Sequence, residues 1–205
     1  MKWKIPLYKV FADSEDNRAV NKVIQRGMDW AIGPEIEKFE KKIANYIGAK
    51  YCIAFNSGTS AGHAALIALG INAKSEVIVP SLTFISTANW PLMVQSSPKF
   101  ADIEIQTYGM DPVDLETKIT KKTKAVIPVH YGGLSCKIDE IKEISNKNKF
   151  YLIEDAAESF GASLNGRKIG SFGTVSILSF AGNKILTTGE GGAICTDSKE
   201  LYEKI

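Results

Sequence analysis

Lys184 is a candidate nucleophile of this 205-residue chain. It lies in segment 179–192, a loop rich in glycine and threonine that follows an apolar run. Functional side chains are common in such loops, and a lysine whose ammonium form is destabilised can attack a carbonyl carbon. The alternative is that Lys184 only extends its ammonium group into solvent, as most lysines do.

A second candidate is the acidic segment that follows the apolar run 151–153, in which Glu154 and Asp155 come first and Glu158 follows three positions after Asp155. Ligands of α/β proteins bind beside the carboxyl ends of strands. A carboxylate that emerges from a buried strand needs a cation or a hydrogen-bond donor, and a protonated ring nitrogen would be a suitable partner for Asp155. Capping of a helix after the strand is the competing interpretation.

The third candidate is segment 56–62, which follows one apolar run and precedes another. The first turn of a helix has unpaired N–H groups and a positive dipole end, and the hydroxyls of Thr59 and Ser60 would add donors for a phosphate. Ordinary helix capping by serine or threonine is the alternative. Neither the Walker lysine pattern nor a Gly-x-Gly-x-x-Gly motif is present.

The elements that must position these segments alternate along the chain. Short apolar runs predict strands at 51–55, 77–79, 99–103, 125–129, 150–153, 175–180 and 191–196. Helical spacing of apolar residues predicts helices at 13–26, 34–47, 60–69, 83–94 and 138–146, with a last helix starting at 198. This alternation predicts an α/β fold with a mainly parallel central sheet flanked by helices on both faces.

Composition narrows the class of protein. The 25 Lys and Arg residues nearly balance 23 Asp and Glu residues, so no electrostatic nucleic-acid binder is indicated. A hydrophobic content of 44% suffices for a sizeable core. No apolar run is long enough to cross a bilayer and the first residues lack the apolar core of a secretion signal, so we expect a cytoplasmic protein without membrane contact. The three isolated cysteines suggest neither a disulfide framework nor a metal site.

Taken together, the three segments resemble the DegT/DnrJ/EryC1/StrS sugar aminotransferases, which are pyridoxal-phosphate (PLP) enzymes of fold-type I. The resemblance extends over essentially the whole chain, and segment 184–192 is its most specific part. The other matching segments are 33–34, 39–40, 57–59, 80–84, 128–132, 154–158 and 171–173. The resemblance implies that residues 1–205 form the N-terminal part and the large PLP-binding domain, and that the C-terminal small domain is absent from this chain.

The resemblance also implies residue roles. Lys184 corresponds to the lysine that binds PLP covalently and then moves a proton between the substrate and the cofactor. Asp155 corresponds to the carboxylate that keeps the pyridine nitrogen protonated, so that the ring can accept electrons. The other implied contacts are Thr59, Ser60 and Ser179 to the phosphate, Phe84 to the ring face, and Glu158 near the phenolic oxygen.

The activity implied is transfer of an amino group, by family analogy from glutamate, to a keto group of a nucleotide-linked sugar. Dehydratase relatives replace the lysine with histidine, so Lys184 favours transamination. Segment 182–184 is similar to perosamine-synthase-like members, which act on a 4-keto-6-deoxy sugar. A homodimer is implied as well.

The chain departs from the family pattern at Ala181, where relatives often have histidine or an aromatic residue, and the alanine leaves space near the cofactor.

Two other hypotheses remain. Because the last predicted helix stops at Ile205, we expect a truncated chain, and the alternative function is a catalytically incomplete PLP-binding or dimerisation fragment. A dinucleotide-binding Rossmann domain would need a glycine fingerprint after the first strand and a ribose-binding acid about 20 residues later. The first predicted strand is instead followed by Asn-Ser-Gly-Thr at 56–59, which disfavours that fold.

Overall fold

The computed structural model describes residues 4–29 and 33–205. Helix α1 (Ser14–Ile24) begins with a capping box, in which Asp13 accepts hydrogen bonds from the N–H groups of Glu15 and Asp16. Helix α2 (Pro34–Ile47) begins at a proline and ends at Gly48, which has the left-handed conformation that glycine adopts without strain. Both helices were predicted from their apolar spacing, and α1 is slightly shorter than expected.

The remaining elements follow in chain order. The strands are β1 (Tyr51–Phe55), β2 (Glu76–Pro80), β3 (Ser97–Ala101), β4 (Thr123–Val126), β5 (Tyr151–Asp155), β6 (Ser163–Leu164), β7 (Arg167–Lys168), β8 (Val175–Ser179) and β9 (Gly192–Thr196). The helices are α3 (Gly58–Ala68), α4 (Ile85–Met93), α5 (Pro112–Lys118), α6 (Ile138–Asn148) and α7 (Lys199–Lys204). Short 3-10 helices lie at Gly27–Asp29 and Tyr131–Gly133. In the described ranges, no helix has the length and apolar character required to cross a membrane.

Seven strands form one sheet in the order β1-β9-β8-β5-β4-β2-β3. The pairs from β3 to β8 are parallel, whereas β9 is antiparallel to both β8 and β1. A parallel connection needs a crossover, usually through a helix, but β8 and β9 are joined by a loop, 180–191, that contains no helix. The predicted mainly parallel sheet is confirmed, and the reversal of β9 follows from this connection.

Helices cover both faces of the sheet, as predicted. Alternate strand residues point to opposite faces, so Leu152 packs with α2 and α6, whereas its neighbour Ile153 packs with α3, α4 and α7. Gly62 brings α3 close to α4, because a Cβ at this position would overlap the indole ring of Trp90. The starts of α3 and α4 therefore lie on the same side of the sheet.

Besides the two short 3-10 helices, one helix and one hairpin were not predicted. Helix α5 begins at Pro112 after Asp111, whose side chain accepts the N–H of Val113, but with seven residues it is too short for a clear helical period. The other is the short hairpin of β6 and β7. The lysine-rich segment 118–124 was predicted to be a solvated turn, and Lys121 and Lys122 do form an exposed turn before β4.

Candidate active site

A cavity of about 360 Å³ lies at the carboxyl ends of β5 and β8, beside the first turns of α3 and α4. All three candidate segments contribute to its wall: Gly58 and Thr59 come from one, Asp155 and Glu158 from the second, and Lys184 from the third. The first and third segments, which are more than 100 residues apart in sequence, therefore meet the second at the sheet edge at which α/β proteins bind ligands.

Six of the seven residues predicted to contact a cofactor line this cavity, namely Thr59, Phe84, Asp155, Glu158, Ser179 and Lys184. Ser60 is not in the cavity wall. Its N–H donates to Ser57 Oγ at 3.0 Å, and its hydroxyl lies 3.0 Å from the same atom. The capping alternative thus describes Ser57 and Ser60, and the phosphate contact of Ser60 stays a prediction.

Lys184 turns into the cavity and does not extend into solvent. Its side chain is 15% exposed, and Nζ donates to Glu158 Oε1 at 3.2 Å. The other oxygen of Glu158 accepts the N–H of Gly132 at 3.0 Å, which fixes the carboxylate. The loop that carries Lys184 is closed by two backbone bonds of Phe180, whose N–H donates to Gly191 and whose carbonyl accepts from Thr188.

Asp155 is the last residue of β5 and is 5% exposed. Its Oδ2 accepts the hydroxyl of Thr87 at 2.7 Å and its Oδ1 accepts the N–H of Ala157 at 3.2 Å. Burial raises the pKa of this carboxyl, and the hydrogen bonds from Thr87 and Ala157 and the charge of Lys184 oppose the rise only in part. The Ala157 bond closes a turn, and the next regular element is β6, so the predicted alternative of helix capping is wrong.

Thr87 was not identified from the sequence. It lies in the first turn of α4, is fully buried, and reaches Asp155 across 68 positions of the chain. Its hydroxyl is also 2.7 Å from that of Thr83, which lines the same cavity. The only sequence signal is the spacing of four between two threonines beside Phe84, which is too common to indicate a site.

Glu154 is a second residue to which the sequence analysis assigned no specific role. It is fully buried, and its Oε1 accepts the N–H groups of Phe172 and Gly173, each at 2.6 Å. Its Oε2 accepts the N–H of Gly170 at 2.9 Å and lies 3.2 Å from His130 Nε2. These contacts give segment 171–173 a structural role, because they attach the chain before β8 to the end of β5.

The start of α3 provides conditions for binding an anion. Gly58 and Thr59 lie in its first turn, where N–H groups have no partner within the helix and the dipole favours negative charge. The Thr59 hydroxyl is 2.9 Å from that of Ser86, and Ser179 lines the cavity beside Gly58. These features are suited to binding an anion, and the phosphate contact stays a prediction.

Solved structures identify the class of protein. An aminotransferase from Psychrobacter cryohalolentis superimposes with a TM-score of 0.91 at 35% identity, covering 95% of this chain and 50% of that one. NtdA from Bacillus subtilis, with bound cofactor PMP, gives a TM-score of 0.84 at 34% identity, with coverage of 94% and 44%. The fold is that of the PLP-dependent aminotransferases of fold-type I.

The family follows from the sequence comparison. The model of the DegT/DnrJ/EryC1/StrS aminotransferase family matches residues 11–205, and this chain belongs to that family. GDP-perosamine synthase of Caulobacter vibrioides is 46% identical over 175 residues, which are 85% of this chain and 47% of the relative. The chain spans about half the length of the curated relatives that it matches. The resemblance read from the motifs is confirmed.

Proposed function

We propose that this chain provides the PLP-binding part of an enzyme that transfers an amino group from glutamate to a keto group of a nucleotide-linked 4-keto-6-deoxy sugar. The observation that carries the proposal is the convergence of Lys184, Asp155 and the start of α3 on one cavity. Family membership supports the aminotransferase reaction. Similarity to GDP-perosamine synthases supports the class of sugar.

The residues of the cavity match the chemical groups of PLP. PLP supplies an aldehyde that joins to amines and a ring that accepts electrons. The start of α3 with Thr59 and Ser179 suits its phosphate, and the exposed ring of Phe84 suits stacking. Asp155 is a buried carboxylate in need of a positive partner, a requirement that a protonated ring nitrogen meets.

Within this proposal the chain's own side chains hold and move protons. Lys184 would hold the aldehyde of PLP through Nζ, and its free amine would carry a proton to and from the α-carbon of the amino acid. Asp155 keeps a proton on the ring nitrogen. Glu158 lies 3.2 Å from Lys184 Nζ, which supports a place for it beside the point of attachment.

Covalent capture of PLP tests the proposal. PLP is added to the chain, borohydride fixes any covalent adduct, and peptide mapping locates the label. We expect one labelled peptide, which contains Lys184, and no label in Lys184→Ala. Circular dichroism of this variant checks that its fold is intact. A label spread over surface lysines in both proteins would overturn the assignment of Lys184.

A catalytically incomplete PLP-binding or dimerisation fragment is the second candidate function. The observation behind it is that the chain spans about half the length of its relatives. Addition of glutamate to the PLP-loaded chain separates the two candidates. Loss of the cofactor's visible absorption indicates conversion to the amino form, whereas an unchanged spectrum favours the fragment.

The homodimer remains a prediction. Leu7, Phe11 and Met28 are strongly exposed, and no residue of α1 is buried within the described part of the chain. Exposed apolar side chains of this kind favour association. Sedimentation equilibrium should therefore give a dimer or a larger species, and a monomer over a wide concentration range would contradict the prediction.

A further inference from the structure

We propose that Thr87 is a positioning residue for the ring nitrogen of the cofactor, because it holds the Asp155 carboxylate ionised and aimed into the cavity. This inference rests on the proposed function, since it concerns how PLP is held. It adds to that function a residue for which neither the motifs nor the resemblance suggested a role.

The direction of the hydrogen bonds is determined by the chemistry of the groups. Thr87 Oγ1 lies 2.7 Å from Asp155 Oδ2 and 2.7 Å from Thr83 Oγ1. An ionised carboxylate only accepts, so the single hydroxyl hydrogen of Thr87 points to Asp155. Thr83 must then donate to Thr87. Two hydroxyl groups in series therefore direct their hydrogens toward the carboxylate, from the positive end of α4.

Asp155 is held from two separate elements. Thr87 binds Oδ2 from α4, and the Ala157 N–H binds Oδ1 from the turn after β5. A carboxylate has about four acceptor positions, and these contacts use two of them. The positions left free belong to a side chain that lines the cavity, where a donor on a ligand can reach them.

The hydrogen bond from Thr87 is needed because burial disfavours the ionised form of Asp155. Burial raises the pKa of Asp155, and the Thr87 hydrogen bond is the largest influence that lowers it again, ahead of Ala157 and Lys184. The other titratable groups nearby are Glu158 in the cavity wall, Glu154 on the opposite face of β5, and His130, whose backbone N–H donates to the Asp155 carbonyl. Without Thr87, a larger fraction of Asp155 is protonated. A protonated acid does not stabilise a positive ring nitrogen.

A comparison of PLP with an analogue that lacks the ring nitrogen distinguishes the positioning role of Thr87 from simple support of the fold. The test measures the dissociation constants of PLP and of the analogue in which carbon replaces the ring nitrogen. Thr87→Val keeps the shape of the side chain and removes the donor. We expect it to weaken PLP binding by about tenfold or more, the scale of a hydrogen bond to a charged group, and to change analogue binding less than about twofold. Thr87→Ser should restore PLP binding.

Thr196→Val is the matched control. Thr196 is also buried, and its hydroxyl donates to the Thr174 carbonyl at 2.9 Å, but it lies at the end of β9 farthest from the cavity. It should change binding of neither cofactor. If Thr87→Val does not fold, Thr83→Val provides the test, with a smaller loss that is again confined to PLP.

The outcomes separate the two proposals. Equal weakening of PLP and the analogue in the Thr87 or Thr83 variant, with normal binding by the wild type, would overturn the role of Thr87 alone. Absence of PLP binding by the wild-type chain would overturn the proposed function and this inference with it. Selective loss of PLP affinity, restored by serine, supports both.

Discussion

Glu154 and Asp155 are adjacent carboxylates at the end of β5 that lie in opposite environments. Glu154 is fully buried, and its two oxygens have four hydrogen-bond partners, namely three backbone N–H groups and His130 Nε2. Asp155 meets two donors, from Thr87 and Ala157, and lines the cavity. Successive strand residues point to opposite faces, which separates the two side chains.

The difference shows that burial alone does not identify a functional acid. A carboxylate has about four acceptor positions. Those of Glu154 are filled by the protein, so its charge connects parts of the fold. Asp155 keeps free positions beside a cavity, and this incomplete set of partners makes it available to a ligand. Four predictions test this contrast.

The largest effect is expected for stability in Glu154→Gln. The amide keeps the size of the side chain, but its NH₂ group would face backbone N–H donors and leave some of them without an acceptor. Breaking a buried charged network of this kind costs about 3–5 kcal/mol in the free energy of unfolding. Urea denaturation measures the loss, and a variant as stable as the wild type would contradict the structural role of Glu154.

The second effect concerns chemistry at Asp155. In Asp155→Asn the charge is lost while shape is kept, so glutamate should convert bound PLP to its amino form on the order of a hundredfold more slowly. The affinity for PLP should fall by a smaller factor than the rate of this conversion. Single-turnover spectroscopy of an enzyme that contains this domain measures the conversion. A near-wild-type rate would show that Asp155 is not needed to keep the ring nitrogen of PLP protonated.

A smaller effect is expected for stability without cofactor. Because burial raises the pKa of Asp155, the folded state binds its proton more tightly than the unfolded state does. Wild-type stability should therefore fall as the pH rises from the ordinary aspartate range through the raised pKa. Asp155→Asn lacks this titration, so its stability relative to the wild type should rise over the same window. Urea unfolding at several pH values gives both curves; parallel curves would refute the prediction.

The smallest effect is expected for Lys184→Ala in the absence of cofactor. Its partner Glu158 is partly exposed in the cavity, and ion pairs that water can reach contribute about 1 kcal/mol or less. The free energy of unfolding should change by no more than that, in contrast to Glu154→Gln. A loss comparable to that of the Glu154 variant would mean that Lys184 is part of the fold.

The fold was largely predictable because its strands are continuous apolar runs and its long helices have a clear period. Helix α5 is too short for such a period. The positions of Lys184, Asp155 and Thr59 were predictable because Asp155 ends a strand and the other two follow one, and the carboxyl ends of neighbouring strands meet at one edge. Their roles toward PLP stay predictions from the resemblance.

The contacts that distinguish Glu154 from Asp155 were not predictable. Glu154 binds backbone N–H groups 16 to 19 positions away, and Thr87 lies 68 positions from Asp155. Hydrogen bonds over such separations leave no local pattern in the sequence. The alternation of side chains along a strand also does not show which face of the sheet borders a cavity.

The position of β9 has a consequence for synthesis of the chain. In the described part of the structure, β1 is an edge strand whose sheet partner is β9, and Phe55 pairs with Gly192. The ribosome adds roughly 5–20 residues per second, so β1 waits about 7–27 seconds for its partner. Until then β1, which directly precedes α3, is not joined to the rest of the sheet. Within this sheet, the strand pair that brings the Thr59 turn to the Lys184 loop is therefore among the last for which both strands have been synthesised.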